Sequence, residues 1–247
     1  MVERKNLTKH LKNMKKNLYI LLNMGIVLLF FSACKKDAVI DGRLSDPNIN
    51  MTTYDYIKSN PRNLFDTTLI IIDRAEMKDV INASGTFFVP NDYTIGNYIT
   101  LKQTEVRRKD ARLNFTLDSL LKYSPQMLRD SMGMYCFKEK LTRDELSDPG
   151  ALYQTNTSNI DLWVSLVEVS QYIVDGVITT KPKYIYLTKI IGAKDIVESS
   201  GVTYDPTKDA KQLDIKVLCQ TTGLITTTGV VHVLSNSHNW SFKQPLN

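Results

Sequence analysis

Gly85-Thr86-Phe87-Phe88-Val89-Pro90-Asn91-Asp92 and, far downstream, Gly229-Val230-Val231-His232-Val233-Leu234 are the two stretches on which the fold turns. Each opens on a glycine and runs into β-branched or aromatic residues, the composition of a strand. Pro90 has no N–H to give to a ladder, so it closes the first strand after Val89. In the second strand side chains alternate, so Val231 and Val233 share one face and His232 takes the other. A histidine embedded in a strand is expected to be a hydrogen-bonded structural residue rather than a catalyst or metal ligand.

Around these strands the periodicity changes once along the chain. The stretch 54–60 reads as a short helix stopped by Pro61. Phe65, Leu69, Ile72 and Glu76, with Ile70, Met77 and Ile81, recur at helical spacing and predict one amphipathic helix over 65–81, broken by Ser84-Gly85. Thr116 is a predicted N-cap for a helix over 117–123, and Ser124-Pro125 supplies a cap and first helical residue for 125–135. Beyond residue 150, strands are expected at 162–169, 172–179, 184–187, 213–219 and 229–234. Asp175-Gly176, Ile191-Gly192, Ser200-Gly201 and Thr222-Gly223 are turn candidates. No internal repeat is visible, so residues 51–247 read as one α+β domain.

The two opening stretches, with Met134-Tyr135-Cys136-Phe137-Lys138-Glu139-Lys140-Leu141-Thr142 between them, resemble the three boxes of the fasciclin domain family. The resemblance implies a wedge of two β-sheets with helices packed along one side. Its motif positions fall on Thr86, Phe88, Pro90, Asp92, Tyr135, Gly229 and His232. Cys136 stands where the family usually has histidine, Ser235 replaces a final aspartate, and Ser237-His238 replaces an apolar pair. Extra length falls at 102–114 and 191–211. The family is mainly one of adhesion and of carbohydrate or matrix contact, but adhesion roles assigned near its Tyr-His box do not carry onto Cys136.

The N-terminus reads as an address. Lys15-Lys16 precede a largely apolar run over 18–31, which is too short to span a bilayer comfortably. Ser32-Ala33-Cys34 follows, resembling the lipobox of bacterial lipoproteins, so residues 1–33 are expected to be a cleaved signal with Cys34 as the lipid-bearing first residue. Translation from either Met1 or Met14 would leave that segment intact. Lys35-Lys36-Asp37 lacks the aspartate after cysteine associated with inner-membrane retention, which favours the outer membrane. Asp37 with Asp41 resembles the acid-containing surface-export signals of some bacteria, which favours a surface-exposed domain. Residues 34–50 read as the lipidated cysteine and a flexible tether.

The charge balance agrees with that division. The chain has 31 Lys plus Arg and 26 Asp plus Glu, and residues 1–33 hold six of the bases and one of the acids. Residues 34–247 therefore carry 25 of each, and nucleic acid is excluded as a partner because a binder keeps its positive charge in the folded body.

Chemistry-bearing patterns are few. His232 and His238 are in no metal-ligand spacing, and there is no Cys-x-x-Cys, phosphate loop or nucleophile elbow. No cofactor or metal is expected, and the chain does not read as an enzyme. Asp205 and Asp209 lie among lysines in what reads as a solvated loop. Cys136 and Cys219 are either a disulfide or two buried free thiols. Tyr153, Trp163, Tyr184 and Trp240 are candidate sugar-contact aromatics, with ordinary core or rim packing as the competing role. The expected function is an envelope binding or adhesion module, with polysaccharide or an outer-membrane protein as partner. A structural subunit of an envelope complex is the alternative.

Overall fold

The computed structural model describes residues 46–169, 181–195 and 212–245. Cys34, the signal segment, the predicted strand over 172–179, and Asp205 with Asp209 lie outside the described residues. Within the stretch 34–50 read as a tether, Asn48–Ile49 (β1) pairs in parallel with Ile225 and Thr226, and the Ile225 N–H donates to the Pro47 carbonyl.

Helices dominate the first half. Thr53–Lys58 (α1) is capped by Thr52, whose side chain accepts from the Asp55 N–H. The single helix expected over 65–81 is two, Asp66–Arg74 (α2) and Lys78–Ala83 (α3). Glu76 takes a left-handed φ of 55°, the Met77 N–H reaches the Ile72 carbonyl, and the Glu76 N–H reaches that of Asp73. This is a Schellman stop, with buried Ile72 and Met77 as its apolar contact. A glutamate at a position usually held by glycine hid it from the periodicity.

Asp92–Lys109 (α4) was not anticipated as a helix. Asn91 caps it, Asp92 sits in its first turn and Arg107, Arg108 and Lys109 in its last, each charge matching the helix dipole. Leu117–Leu121 (α5) and Pro125–Gly133 (α6) follow, with the Ser124 side chain accepting from the Met127 N–H.

The strands are Thr86–Val89 (β2), Cys136–Phe137 (β3), Ala151–Gln154 (β4), Asp161–Glu168 (β5), Lys183–Lys189 (β6), Ile215–Thr226 (β7) and Val230–Leu234 (β8). They form one path, β3-β2-β8-β7-β6-β5-β4, with β1 added at the far end of β7. A bridge between Phe137 and Thr155 brings the two ends of that path together. The fold is α+β, and a single run of strands, nearly closed on itself, carries it. β7 makes this geometry: residues 215–218 pair with β6 and residues 219–225 with β8. The expected turn at Thr222-Gly223 is instead a register irregularity inside β7, with Gly223 at φ 73°.

β2 and β8 pair in parallel and all their residues are buried. Strands covered on both faces read as continuous apolar runs rather than alternating ones, which is why these two stretches stood out. The core joins Ile57, Ile71, Ile72 and Ile81 from the helices to Phe87, Phe88, Val231 and Leu187 from the sheet.

Candidate functional site

Three clusters of polar and aromatic side chains stand out, and two of them hold the fold together. In the first, β2 and β8 clamp the backbone of residues 139–141. Thr86 Oγ1 donates to the Glu139 carbonyl at 2.7 Å and accepts from the Leu141 N–H at 2.8 Å. His232 Nε2 lies 2.8 Å from the Leu141 carbonyl, while its Nδ1 accepts from the Gly223 N–H at 3.0 Å. An amide donor on Nδ1 leaves the ring proton on Nε2, so the imidazole is neutral. Burial pushes its pKa down to about 4, assisted by the Arg143 charge and opposed by the bond to Leu141. Phe88 lies against the ring, centroids 4.8 Å apart. The β7 irregularity therefore has a local purpose, since it aims the Gly223 amide at His232.

In the second cluster the Ser241 N–H donates to the Tyr135 hydroxyl at 2.7 Å, and that hydroxyl donates to His238 Nε2 at 2.7 Å. Phe242 stacks on Tyr135 at 5.7 Å. Burial raises the tyrosine pKa and pushes that of His238 down to about 3. Tyr135, a motif position, and His238, which replaces an apolar residue of the motif, are hydrogen-bonded across 103 positions.

The remaining motif positions are architectural. Asp92 Oδ1 accepts from the Thr68 N–H at 3.1 Å, covering a donor at the start of α2 that its own cap residue, Phe65, leaves open. Pro90 offers its carbonyl to Thr68 Oγ1 at 2.8 Å. Asn91, not singled out from the sequence, ties α4 to the end of β8 through the Leu234 carbonyl and Asn236. Gly229 lies against the backbone of Ser84 and Gly85.

Cys136 and Cys219 are buried free thiols, not a disulfide. Cys136 lies opposite Phe87, Phe87 opposite Val231, and Cys219 opposite Leu234 on the next strand. Three strand spacings, roughly 14 Å, separate the strands that carry them, well beyond the reach of an S–S bond. Burial pushes the Cys136 thiol up to about 12 and raises that of Cys219 as well, which makes both unreactive.

The third cluster is the candidate binding surface, the outer face of β4-β5-β6-β7. Cross-strand partners share a face. Trp163 pairs with Leu152 and Thr188, Ser165 with Tyr186, Val167 with Tyr184, and Thr188 with Lys216. Trp163, Tyr184 and Tyr186 thus lie on one face, half-buried, opposite the face that buries Val164, Ile185, Leu187 and Val217.

Trp163 is a fixed platform. Its indole N–H donates to the Pro149 carbonyl at 2.8 Å, and a Cβ at Gly150 would fall 2.6 Å from that nitrogen. Lys194 Nζ sits 3.4 Å over the indole and Lys216 Nζ 4.2 Å over the Tyr186 ring. Burial depresses both ammonium pKa values, and the Asp148 carboxylate opposes the shift in each.

Of the four candidate contact aromatics, only Trp163 and Tyr184 share this surface. Tyr153 pairs with Leu162 and faces the core. Trp240 is a correction: it is 1 % exposed and packs edge-on against Tyr98 at 5.2 Å, so it cannot stack on a ligand. Tyr186 was missed, although its alternation with Tyr184 along β6 carried the signal. Among the described residues no group of three metal-ligating side chains converges, and no helix is long and apolar enough to cross a membrane.

No family model matches the chain, and no curated protein matches it. Among solved structures it is similar to a FAS1 domain pair from the insect cell adhesion molecule fasciclin I, at 14 % identity and a TM-score of 0.40. The match covers 74 % of this chain and 49 % of that one, so the chain spans about half the length of that structure.

Proposed function

We propose that this chain is a lipid-anchored, non-catalytic binding or adhesion module of the cell envelope. In this reading it is a fasciclin-like domain serving as an accessory glycan-binding lipoprotein of a nutrient-uptake system. One observation carries it: the anchored indole of Trp163 shares a half-buried sheet face with Tyr184 and Tyr186, with the mobile side chains of Lys194 and Lys216 laid over the Trp163 and Tyr186 rings, where a sugar would take their place. Rigid aromatic faces beside N–H donors are suited to sugar rings, whose C–H faces stack while their hydroxyls bond to polar neighbours. Both described histidines are neutral and engaged in holding strands and loops together, which supports a module without turnover.

Affinity-gel electrophoresis of the purified full-length chain in detergent tests this. Retention on at least one polysaccharide is expected, and Trp163→Ala should weaken it about tenfold, ~1.4 kcal/mol. The alternative is protein contact on the same face. It is favoured by Leu152, which is 52 % exposed directly opposite Trp163. No retention on any polysaccharide, with co-purification of a stoichiometric protein partner, would decide for the subunit.

The anchor has a separate test. Palmitate labelling of cells producing the chain should be lost in Cys34→Ala, and labelling that persists would remove the lipoprotein reading. A single acyl chain binds membranes only marginally, so the several chains expected on such a cysteine are what would hold the domain there.

A further inference from the structure

A cleft of about 330 Å³ lies between the start of β7 and the C-terminal segment 237–245, lined among others by Ile215, Val217, His238, Asn239, Phe242 and Lys243. Val217 in its wall is a core-facing residue of β7, while Lys216, which lies over Tyr186 at the edge of the Trp163 face, also borders it. Its volume is at the small end for a ligand pocket.

Its donors are in excess. His238 is 3 % exposed and its Nε2 is taken by the Tyr135 hydroxyl, which leaves the ring proton on Nδ1. That N–H makes no hydrogen bond among the described residues and is not one of the sealed polar atoms, so it is open to the solvent of the cleft that His238 lines. Lys243 Nζ, also in the wall, lies 2.9 Å from Glu105, and the same carboxylate holds Lys102 at 2.6 Å. Two ammonium groups on one carboxylate leave a positive charge over. The Asp214 carboxylate, at the other end of the lining, is occupied by the N–H groups of Ile191 and Asp195. Ile215, Val217 and Phe242 supply an apolar wall.

We infer that this cleft binds a small carboxylate with a compact apolar body, the carboxylate accepting from His238 Nδ1–H and from Lys243. Resting on the glycan reading above, the ligand would be a sugar-acid unit of an acidic polysaccharide. The imidazole acts as a neutral donor here, so it selects for an acceptor without carrying a charge of its own.

The test uses the full-length chain in detergent, with galacturonate, glucose and cyclohexanecarboxylate as probes, followed by calorimetry and by ¹⁵N NMR of the histidine rings. Galacturonate is expected to bind and to move the His238 ring signals while those of His232 stay in place. Glucose should not bind. Lys243→Met should weaken galacturonate about tenfold through loss of a charge-assisted hydrogen bond, and Trp163→Ala should leave it unchanged. Ile215→Trp, which puts an indole into the cleft, should abolish binding.

Binding that is lost in Trp163→Ala but kept in Lys243→Met and Ile215→Trp would overturn the cleft and leave the glycan reading standing. Polysaccharide retention with no galacturonate binding would overturn it in the same way. Binding of cyclohexanecarboxylate at His238 without galacturonate or polysaccharide binding would support the cleft and remove the glycan reading.

Discussion

Acidification from pH 7 to pH 4 is expected to cost the folded domain several kcal/mol. His232 and His238 are both buried, with pKa values pushed down to about 4 and about 3. In the unfolded chain each would titrate near the ordinary value of 6.5. Above pH 6.5 both rings are neutral in either state and the stability is fully present. Between pH 6.5 and the folded values the unfolded chain binds more protons, so stability is lost as the pH is lowered. The loss stops once the pH passes the folded pKa. At 1.36 kcal/mol per unit, each ring contributes about 3 kcal/mol of loss by pH 4. That is a large part of the 5–15 kcal/mol that a domain usually has.

The bonding explains why the rings resist protonation. A second proton on His232 would face the Gly223 N–H, and one on His238 would face the Tyr135 hydroxyl proton. Urea midpoints at pH 7, 5.5 and 4 should fall steadily, and ring NMR should show both histidines neutral until the protein unfolds. A flat stability profile over that range, or an imidazolium signal from the folded protein at pH 6, would contradict this account.

Gly229→Ala is expected to cost about 3 kcal/mol, in the upper range for overpacking a core. A Cβ there would lie 2.5 Å from the Ser84 carbonyl oxygen and 2.9 Å from that of Gly85. Both obstacles are backbone, so no side chain can swing aside. The same place holds the Val230 N–H bond to Gly85 at 2.8 Å, and Thr226 Oγ1 bonds the Gly229 N–H at 3.0 Å. Relief of the clash would therefore pull apart the parallel β2–β8 pair at its first rung. Gly96→Ala is the control, because nothing lies within 4 Å of its Cβ position in α4. That change should be neutral or stabilising by up to about 1 kcal/mol. Denaturant midpoints of the two variants check the contrast, and equal effects would refute the packing argument.

The two buried strands could be read from the chain because burial on both faces leaves unbroken apolar runs. Capping chemistry made α5 and α6 legible, since Thr116, Ser124 and Pro125 act on their immediate neighbours. The break inside 65–81 was not legible. Its stop uses Glu76 in a left-handed conformation, which the apolar contact of Ile72 with Met77 holds against the intrinsic preference. α4 was overlooked because its mean character is polar and only Thr94, Ile95 and Tyr98 are buried. Trp240 and Trp163 look alike in the sequence, yet one is sealed beside Tyr98 and the other is held at a sheet face by the Pro149 carbonyl.

By itself the sequence determined the α+β order of elements, the two central strands and the neutral charge of residues 34–247, because strand runs, caps and charge are local or additive properties. Only the tertiary structure decided that Thr86 and His232 grip both sides of Leu141, that Tyr135 meets His238, and that the His238 ring lines a cleft. Those arrangements join residues some 50 to 100 positions apart. Local pattern does not encode such pairings; strand register and the path of the C-terminal segment do.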